Sequence, residues 1–305
     1  MPIIFEGATI SGGISIEPYI PPAGSKAIFG YGYSTTNVSM TNLVSSAGVV
    51  ATDTTGVGTA RSYTAAAGYG TDKAIFGYGG FGSPVSMTNL VSNTGVVSND
   101  TAGVGTARGA LAAAGYGTDK AIFGYGLDSS VVQVSMTNIV NNTGVVATDT
   151  TGVGTARYSL AAAGYGTDKA IFGYGYDTNY TSITNKVSNT GVVATDTTGV
   201  GTARYGLAAA GYGTDKAIFG YGTSGGATNL VSNTGVVATD TANVGTVRYN
   251  LAAAGYGTDK AIFGYGYIGT NRSITNLVSN TGVVATDTTG VGTARQALAA
   301  ASYGS

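Results

Sequence analysis

A pair of motifs that recurs six times limits the fold of this chain more than any other feature of its sequence. The first is Lys-Ala-Ile-Phe-Gly-Tyr-Gly, and each copy is followed by a second motif close to Gly-Val-Val-Ala-Thr-Asp-Thr-Thr-Gly-Val-Gly-Thr-Ala-Arg. Copies of the first motif begin at Lys26, Lys73, Lys120, Lys169, Lys216 and Lys260, with spacings of 47, 47, 49, 47 and 44 residues. A period of this length indicates one supersecondary unit repeated along the chain.

Within one unit, four short strand-like runs alternate with turn signals. In one copy the runs are residues 160–163, 169–172, 184–188 and 192–195. The runs are too short, and the 51 glycines of the chain too frequent, for helices. Four short strands in a unit of this length are the content of one blade of a β-propeller.

The two ends of the chain complement each other. The first unit begins at Lys26 with its second strand, whereas the chain finishes with an inner strand, Leu298 to Ala301, that has no second strand after it. The last strand is therefore expected to complete the first blade. An open solenoid would instead need atypical capping repeats at both ends. The sequence predicts an all-β, six-bladed β-propeller with four-stranded blades over residues 25–305, closed by its C-terminal strand, and a separate arm over residues 1–24.

The order of features within a unit carries a family resemblance. One copy reads Arg157, Leu160-Ala-Ala-Ala163, Ala170-Ile-Phe-Gly-Tyr-Gly175, Val187 and Val192-Val193. This order resembles a kelch repeat, and the resemblance covers Ser25 to Ser305. It departs in two places, because Gly-Tyr-Gly stands where kelch repeats have Gly-Gly, and the Tyr and Trp of their outer half are missing. Such uniform repeats are also similar to those of propellers in bacteriophage tail and virion proteins, which implies a virion component.

The composition argues against catalysis. Cysteine, histidine and tryptophan are absent from the sequence, which removes thiolate nucleophiles, disulfides, imidazole bases and the common zinc sites. With a net charge of −1, the chain has no excess of positive charge that would attract nucleic acid or an anionic membrane. No apolar run is long enough for a membrane span. The Asp-Thr-Thr-Gly loops supply one carboxylate each, too few for a usual calcium loop. We expect no catalytic residue, metal or cofactor, and a kelch-like oxidase or glycosidase is disfavoured.

The units differ in length at one loop only. Between Gly-Tyr-Gly and the following Thr-Asn, this variable loop contains 8, 8, 10, 8, 5 and 8 residues. Insertions of this kind fall on one face of a repeat protein, often its binding face. The candidate ligand- or partner-binding residues in these loops are Tyr33, Phe81, Asp128, Tyr176, Asp177, Tyr180, Tyr267 and Arg272. The alternative is that these residues are merely tolerated in loops that diverged after duplication.

Charged residues recur with the repeat, which indicates a structural task common to all units. We expect each arginine to form a hydrogen-bonded pair with a loop aspartate, either at the junctions between blades or around the central channel of the propeller. The arginines of this network are Arg61, Arg108, Arg157, Arg204, Arg248 and Arg295. The aspartates assigned to it are Asp53, Asp149, Asp196, Asp240 and Asp287.

The arm and the variable loops are expected on opposite faces, because the chain enters beside the turns that follow the inner strands. The beginning of the chain lacks the basic and long apolar segments of a signal peptide. We expect a non-catalytic structural or adhesion protein of a phage-like virion, assembled in the host cytoplasm. It would dock onto other structural proteins through residues 1–24 and present its loops to a host glycan, receptor or protein.

Two other origins stay open. One is a soluble, cytoplasmic or extracellular, lectin-like propeller that binds carbohydrate in pockets repeated between blades, with avidity from the ring. A lectin of that kind should keep the same binding residues in every blade, and these loops differ. The other is a consensus-designed propeller, against which the irregular loops and the specific leader argue.

Overall fold

The computed structural model describes residues 25–304, and these residues form an all-β chain of repeated small antiparallel sheets. The expected docking arm, residues 1–24, lies outside the described residues, as does Ser305. The described part contains no helix that is long and apolar enough to cross a membrane. The prediction of an all-β repeat protein is therefore confirmed.

Each repeat forms one three-stranded sheet, with the Lys-Ala-Ile-Phe-Gly strand in the middle. Strands are numbered β1 to β20 along the chain. Sheet 1 contains β1 (Lys26–Gly30), β2 (Thr41–Val44) and β20 (Ala299–Tyr303). Sheet 2 contains β3 (Ala65–Tyr69), β4 (Lys73–Gly77) and β5 (Thr88–Val91). Sheet 3 contains β7 (Ala112–Tyr116), β8 (Lys120–Gly124) and β10 (Thr137–Val140).

The remaining sheets repeat this order. Sheet 4 contains β11 (Ala161–Tyr165), β12 (Lys169–Tyr176) and β13 (Tyr180–Val187). Sheet 5 contains β14 (Ala208–Tyr212), β15 (Lys216–Gly220) and β16 (Thr228–Val231). Sheet 6 contains β17 (Ala252–Tyr256), β18 (Lys260–Ile268) and β19 (Thr270–Val278). A short ladder joins β6 (Arg108–Gly109) to β9 (Leu127–Asp128).

The core lies between neighbouring sheets rather than within one. Residues such as Ile75 and Tyr78 of sheet 2 pack against Phe123 and Val140 of sheet 3. The middle strands are buried on both sides, because each has a sheet on either face. Six clusters of this kind join successive sheets, and one of them joins sheet 6 to sheet 1.

The first and last strands of the described chain pair with each other. β1 and β20 are antiparallel, with Lys26 opposite Tyr303 and Gly30 opposite Ala299. The inner strands, which are β20, β3, β7, β11, β14 and β17, each contact the inner strand of the next sheet, and β17 contacts β20. Their alanines and glycines permit this approach: a Cβ added at Gly115 would lie 3.2 Å from the carbonyl oxygen of Gly68.

The fourth strand expected in each unit is reduced to isolated bridges. In sheet 4, Val187 pairs with Val193 and Thr184 with Thr197, but no continuous ladder forms between these points. The side chain of Asn185 lies there, and its Nδ2 donates to the carbonyl oxygen of Ala194 at 3.0 Å. This side-chain bond replaces a ladder bond, which interrupts the strand.

Candidate binding face

Two variable loops are extensions of a β-hairpin. In sheet 4 the strands continue until Tyr176 lies opposite Tyr180, and in sheet 6 until Ile268 lies opposite Thr270. The register shifts at Gly173/Gly175 and at Gly264/Gly266, so each hairpin has an irregularity where it leaves its sheet. The hairpins carry aromatic side chains beyond the body of the sheets.

Four tyrosines from three segments of the chain pack together at the sheet 4 hairpin. The ring centroid of Tyr176 lies 5.4 Å from that of Tyr158, 5.9 Å from that of Tyr180 and 5.9 Å from that of Tyr205. Tyr180 also lies 5.2 Å from Tyr205. The rings are tilted or edge-on, which is the geometry that aromatic pairs prefer. Tyr180 is 47% exposed, so the cluster lies at the surface.

Two further aromatic pairs have the same construction. Tyr249 lies 5.5 Å from Tyr267, and Tyr63 lies 5.2 Å from Phe81. In each pair one ring comes from a variable loop and the other from the segment after a repeated arginine. The tyrosine face is defined here as these eight residues: Tyr63, Phe81, Tyr158, Tyr176, Tyr180, Tyr205, Tyr249 and Tyr267.

A ring of backbone hydrogen bonds underlies this face. It is formed by the six residues that lie two positions after the repeated arginines, which are Tyr63, Ala110, Ser159, Gly206, Asn250 and Ala297. The N–H of each donates to the carbonyl oxygen of the preceding one at 2.7–3.0 Å, and Tyr63 donates to Ala297. All six have a positive φ, between 49° and 64°. This backbone conformation turns their amides toward one another and fixes the positions of the neighbouring tyrosines.

The structure brings together some of the predicted loop residues and separates others. Tyr176, Tyr180, Tyr267 and Phe81 belong to the tyrosine face. Tyr33 is 41% exposed and does not, because its backbone is bridged to Gln296, whereas Tyr176 and Tyr267 are bridged to tyrosines at the equivalent position. The exposed Arg272 lies on β19, opposite Gly266.

The two aspartates of the variable loops support their own loops. The carboxylate of Asp128 accepts hydrogen bonds from the N–H groups of Ser130 at 2.8 Å and Val132 at 2.9 Å. Asp177 accepts bonds from the N–H groups of Thr178 and Asn179. Burial acts to raise the pKa of Asp177, but these bonds outweigh it and hold the pKa below its usual value. Both carboxylates therefore act as loop caps.

Four tyrosines of the face were missed by the sequence analysis: Tyr63, Tyr158, Tyr205 and Tyr249. They lie outside the variable loops, one or two positions after the repeated arginines. A signal was available, because these two positions also vary from Ser-Tyr to Gly-Ala and Tyr-Ser in otherwise uniform repeats. The residue types vary at these two positions but the number of residues does not, so a comparison of loop lengths does not detect the variation.

The recurrent arginines form a network that differs from the expected one. Arg204 donates from Nη2 to Oδ1 of Asn229 at 2.7 Å and from Nε to the carbonyl oxygen of Tyr221 at 2.9 Å. Its guanidinium lies 4.3 Å from the ring centroid of Tyr174 in sheet 4. Its Nη1 lies 3.9 Å from Oδ1 of Asp240, an ion pair beyond hydrogen-bond distance. The expected hydrogen bond to the aspartate is therefore replaced by one to an asparagine.

The aspartate of each network bonds to neutral groups instead. Asp240 accepts hydrogen bonds from the Thr202 N–H at 3.0 Å, from the Thr202 hydroxyl at 2.6 Å and from Asn229 Nδ2 at 2.9 Å. Partial burial acts to raise its pKa, but these bonds and Arg204 lower it. In the second sheet the residue in this place is Asp100, which was missing from the predicted set. Its unit reads Ser-Asn-Asp where the others read Ala-Thr-Asp.

A cavity of about 350 Å³ lies at the opposite face, where the inner strands end. The turns that connect an inner strand to a middle strand in sheets 2 to 6 all contribute the same residue types, for example Tyr165, Thr167 and Lys169. The Nζ atoms of five lysines lie 2.6–2.9 Å from the aspartate that precedes each of them. Ser25 occupies the aspartate position in sheet 1. Because these charges are paired, the rim offers little net charge to a ligand.

Chemically, the tyrosine face consists of aromatic rings and, except at Phe81, phenol hydroxyls. Burial, and after it the neighbouring Tyr176 hydroxyl, raises the pKa of Tyr158, so the phenol stays neutral at physiological pH. Among residues 25–304, no group of three or more acidic, histidine or cysteine side chains could hold a metal ion. No protein-family profile matches this chain, and neither does any curated protein sequence.

Proposed function

We propose that this chain is a non-catalytic binding and display module, a kelch-like six-bladed β-propeller that belongs to a phage-like virion and contacts its target through the tyrosine face. The observation that carries the proposal is the distribution of aromatic residues. The repeats are nearly identical elsewhere, yet eight aromatic residues gather where the units differ. Tyrosines in such patches supply large contact areas at a low cost in conformational entropy.

The propeller architecture, closed by the C-terminal strand, is supported by three sets of contacts. β20 pairs with β1, as each other inner strand pairs with its middle strand. The six-membered ring of hydrogen bonds under the tyrosine face includes Ala297. At the other face, Gly304 donates to the carbonyl oxygen of Asp72 and Gly257 to that of Ser25. In such a ring each sheet has two neighbours, which leaves no sheet face uncovered.

The position of Ser25 supports docking from the opposite side. This residue lines the 350 Å³ cavity, at the end of the inner strands that is distant from the variable loops. Residues 1–24 precede it in the sequence, so an attachment through them would leave the tyrosine face directed away from the particle. A lectin with repeated pockets is less well supported, because the aromatic pairs are confined to particular units.

Two variants test the two halves of the proposal. Deletion of residues 1–24 should abolish incorporation into the particle, measured by immunoblotting purified particles, while the propeller stays folded. A variant with Tyr158, Tyr176 and Tyr205 changed to Ala should be incorporated normally but adsorb to host cells at least tenfold more weakly. Normal incorporation of the first variant would disprove the docking role, and normal adsorption of the second would disprove the binding role of the face.

A further inference from the structure

The six residues of the hydrogen-bonded ring, Tyr63 among them, line one cavity of about 60 Å³ on the axis around which the inner strands are arranged. Tyr158, Tyr205 and Tyr249 come from three successive repeats, each directly before a residue of the hydrogen-bonded ring. Tyr63, from another repeat, belongs to the ring itself, and its pKa is raised by burial and after it by the hydroxyls of Tyr249 and Tyr158. The face therefore contains one axial site and not six equivalent ones.

Planar amides border the same site. Asn250 belongs to the hydrogen-bonded ring, and its Nδ2 donates to Oε1 of Gln296 at 3.2 Å. The side chain of Asn250 also acts to lower the pKa of Tyr63, against the larger effect of burial. An asparagine or glutamine side chain offers both donors and an acceptor. The site thus combines aromatic surface with groups that can serve adjacent hydroxyls of a ligand.

The hydroxyls of the outer tyrosines are available. The tyrosines of the six Gly-Tyr-Gly motifs use theirs inside the fold, as Tyr174 does by donating to the carbonyl oxygen of Val200 at 3.0 Å. Within residues 25–304, the hydroxyls of Tyr158, Tyr176, Tyr180, Tyr205, Tyr249 and Tyr267 form no such bond. Each can donate to a ligand and accept from it.

The charged side chains near the site, Asp177 in the sheet 4 hairpin and Arg272 on β19, lie at its edge. The groups that act on the pKa of Tyr205, after burial, are the hydroxyls of Tyr180, Tyr158, Tyr249 and Tyr63, with no acidic or basic side chain among them. The carboxylates of Asp128 and Asp177 are bonded to their own loops. An anionic or cationic ligand at the centre of the site would therefore lose its hydration without gaining an ion-pair partner there, which costs binding free energy.

We propose that the axial tyrosine site binds a neutral oligosaccharide, one per chain. The phenol rings would stack on the C–H faces of the sugar rings, and the tyrosine hydroxyls with Asn250 and Gln296 would bond the sugar hydroxyls. This inference rests on the proposed function, since it names the ligand class of the same face. One site per chain distinguishes it from a lectin with a pocket in every repeat.

Binding of oligosaccharides to the full-length protein tests this assignment. The probes are a panel of neutral hexasaccharides (glucans, mannans and galactans) and sialylated or sulfated oligosaccharides of similar length, with affinity and stoichiometry measured by isothermal titration calorimetry. We expect at least one neutral probe to bind with a stoichiometry near one and every acidic probe to bind more weakly.

Variants separate stacking from hydrogen bonding. Tyr205→Ala should weaken neutral-sugar binding at least tenfold, and Tyr205→Phe, which keeps the ring, should weaken it less. Val236→Ala is the control, because Val236 is 61% exposed beside the turn in which Gly235 packs on Tyr165, at the opposite face. It should leave binding unchanged.

Three results would overturn the assignment: no neutral probe binds, acidic probes bind better, or Tyr205→Ala binds like the control. If host adsorption still depends on the tyrosine face while no oligosaccharide binds, the proposed function stands and the ligand class is wrong. If adsorption does not depend on the face either, both fail.

Discussion

Arg295 donates a hydrogen bond of 2.7 Å from Nη2 to Oδ1 of Asn42, a residue 253 positions earlier in the chain. The equivalent bonds in the other repeats, such as that from Arg204 to Asn229, join residues 25 to 30 positions apart. Sheet 1, which combines strands from both ends of the described chain, thus has the same side-chain chemistry as every other sheet, and Arg295 packs on Tyr265 of sheet 6 at 4.3 Å as Arg204 packs on Tyr174 of sheet 4. Nothing in these contacts marks sheet 1 as the place where the chain begins and ends.

The C-terminal strand should be indispensable for stability. Deleting residues 296–305 removes β20, whose Ala299, Ala301 and Tyr303 are buried in the cluster between sheets 1 and 2. It also removes a member of the hydrogen-bonded ring. We expect a loss on the order of 5 kcal/mol, comparable with the whole stability of many domains. Calorimetry should show a much lower Tm or no cooperative transition, and an unchanged Tm would refute the role assigned to β20.

The hydrogen bonds of each arginine should contribute more to the free energy of unfolding than its ion pair with the aspartate does. Arg204→Leu leaves the Asn229 side chain and the carbonyl oxygens of Tyr221 and Thr202 without their donor. Unpaired buried acceptors of this kind cost about 1–3 kcal/mol each before relaxation, so we expect a loss of about 3 kcal/mol in urea unfolding. The exposed Arg272→Leu is the matched control, with a change below about 0.5 kcal/mol. Equal effects of the two substitutions would contradict the network.

Much of the fold could be predicted from the sequence because its signals are local and repeated six times. Turn residues and apolar runs locate the middle and inner strands, and the unit boundaries locate β20. The interruption of the outer strand could not be predicted, because it depends on where one asparagine side chain, such as Asn185, bonds in three dimensions. The choice of asparagine over aspartate as the partner of each arginine has the same origin.

The tyrosine face was predicted only in part. Tyr176, Tyr180, Tyr267 and Phe81 were expected from the variable loops. Their partners were not, because the direction of those side chains is set by a positive φ two residues after each arginine. Non-glycine residues rarely adopt this conformation, and nothing in Ala297 or Ser159 indicates it.

Acid should weaken the fold through the network aspartates. The pKa of Asp240 is raised by partial burial but lowered more by its hydrogen bonds, so it lies below the unfolded value of 3.8. The stability that this carboxylate contributes is complete above pH 3.8 and is lost as the pH falls through the folded-state pKa. Each partly exposed group contributes less than about 1 kcal/mol. Denaturation midpoints measured between pH 6 and pH 2 should decrease mainly at pH values below 3.8. The decrease should be less steep for Asp240→Asn, and parallel profiles of the two proteins would contradict this prediction.

Alkali should act through the tyrosines that pack on the arginines. Burial raises the pKa of Tyr31, Tyr78, Tyr174 and Tyr221 from 10.0 to about 12, although the neighbouring arginines lower it. Their contribution to stability is complete below pH 10 and is lost as the pH rises toward 12. Tyrosinate absorbance should therefore show a late group of phenols that titrates together with unfolding. Titration of all 21 tyrosines near pH 10 in the folded protein would contradict this burial.

A circular permutant tests the closed ring most directly. Joining Ser305 to Ser25 gives a connection from Tyr303 to Lys26 of the same length as the turn Tyr69–Lys73, and new ends can be placed after Gly82, which has open space around it. The measurement is the Tm of this permutant, residues 83–305 followed by 25–82, against that of the linear chain 25–305. A ring closed by β20 predicts cooperative unfolding at a Tm within a few degrees of the linear chain. A permutant that fails to fold, or melts far lower, would contradict the ring.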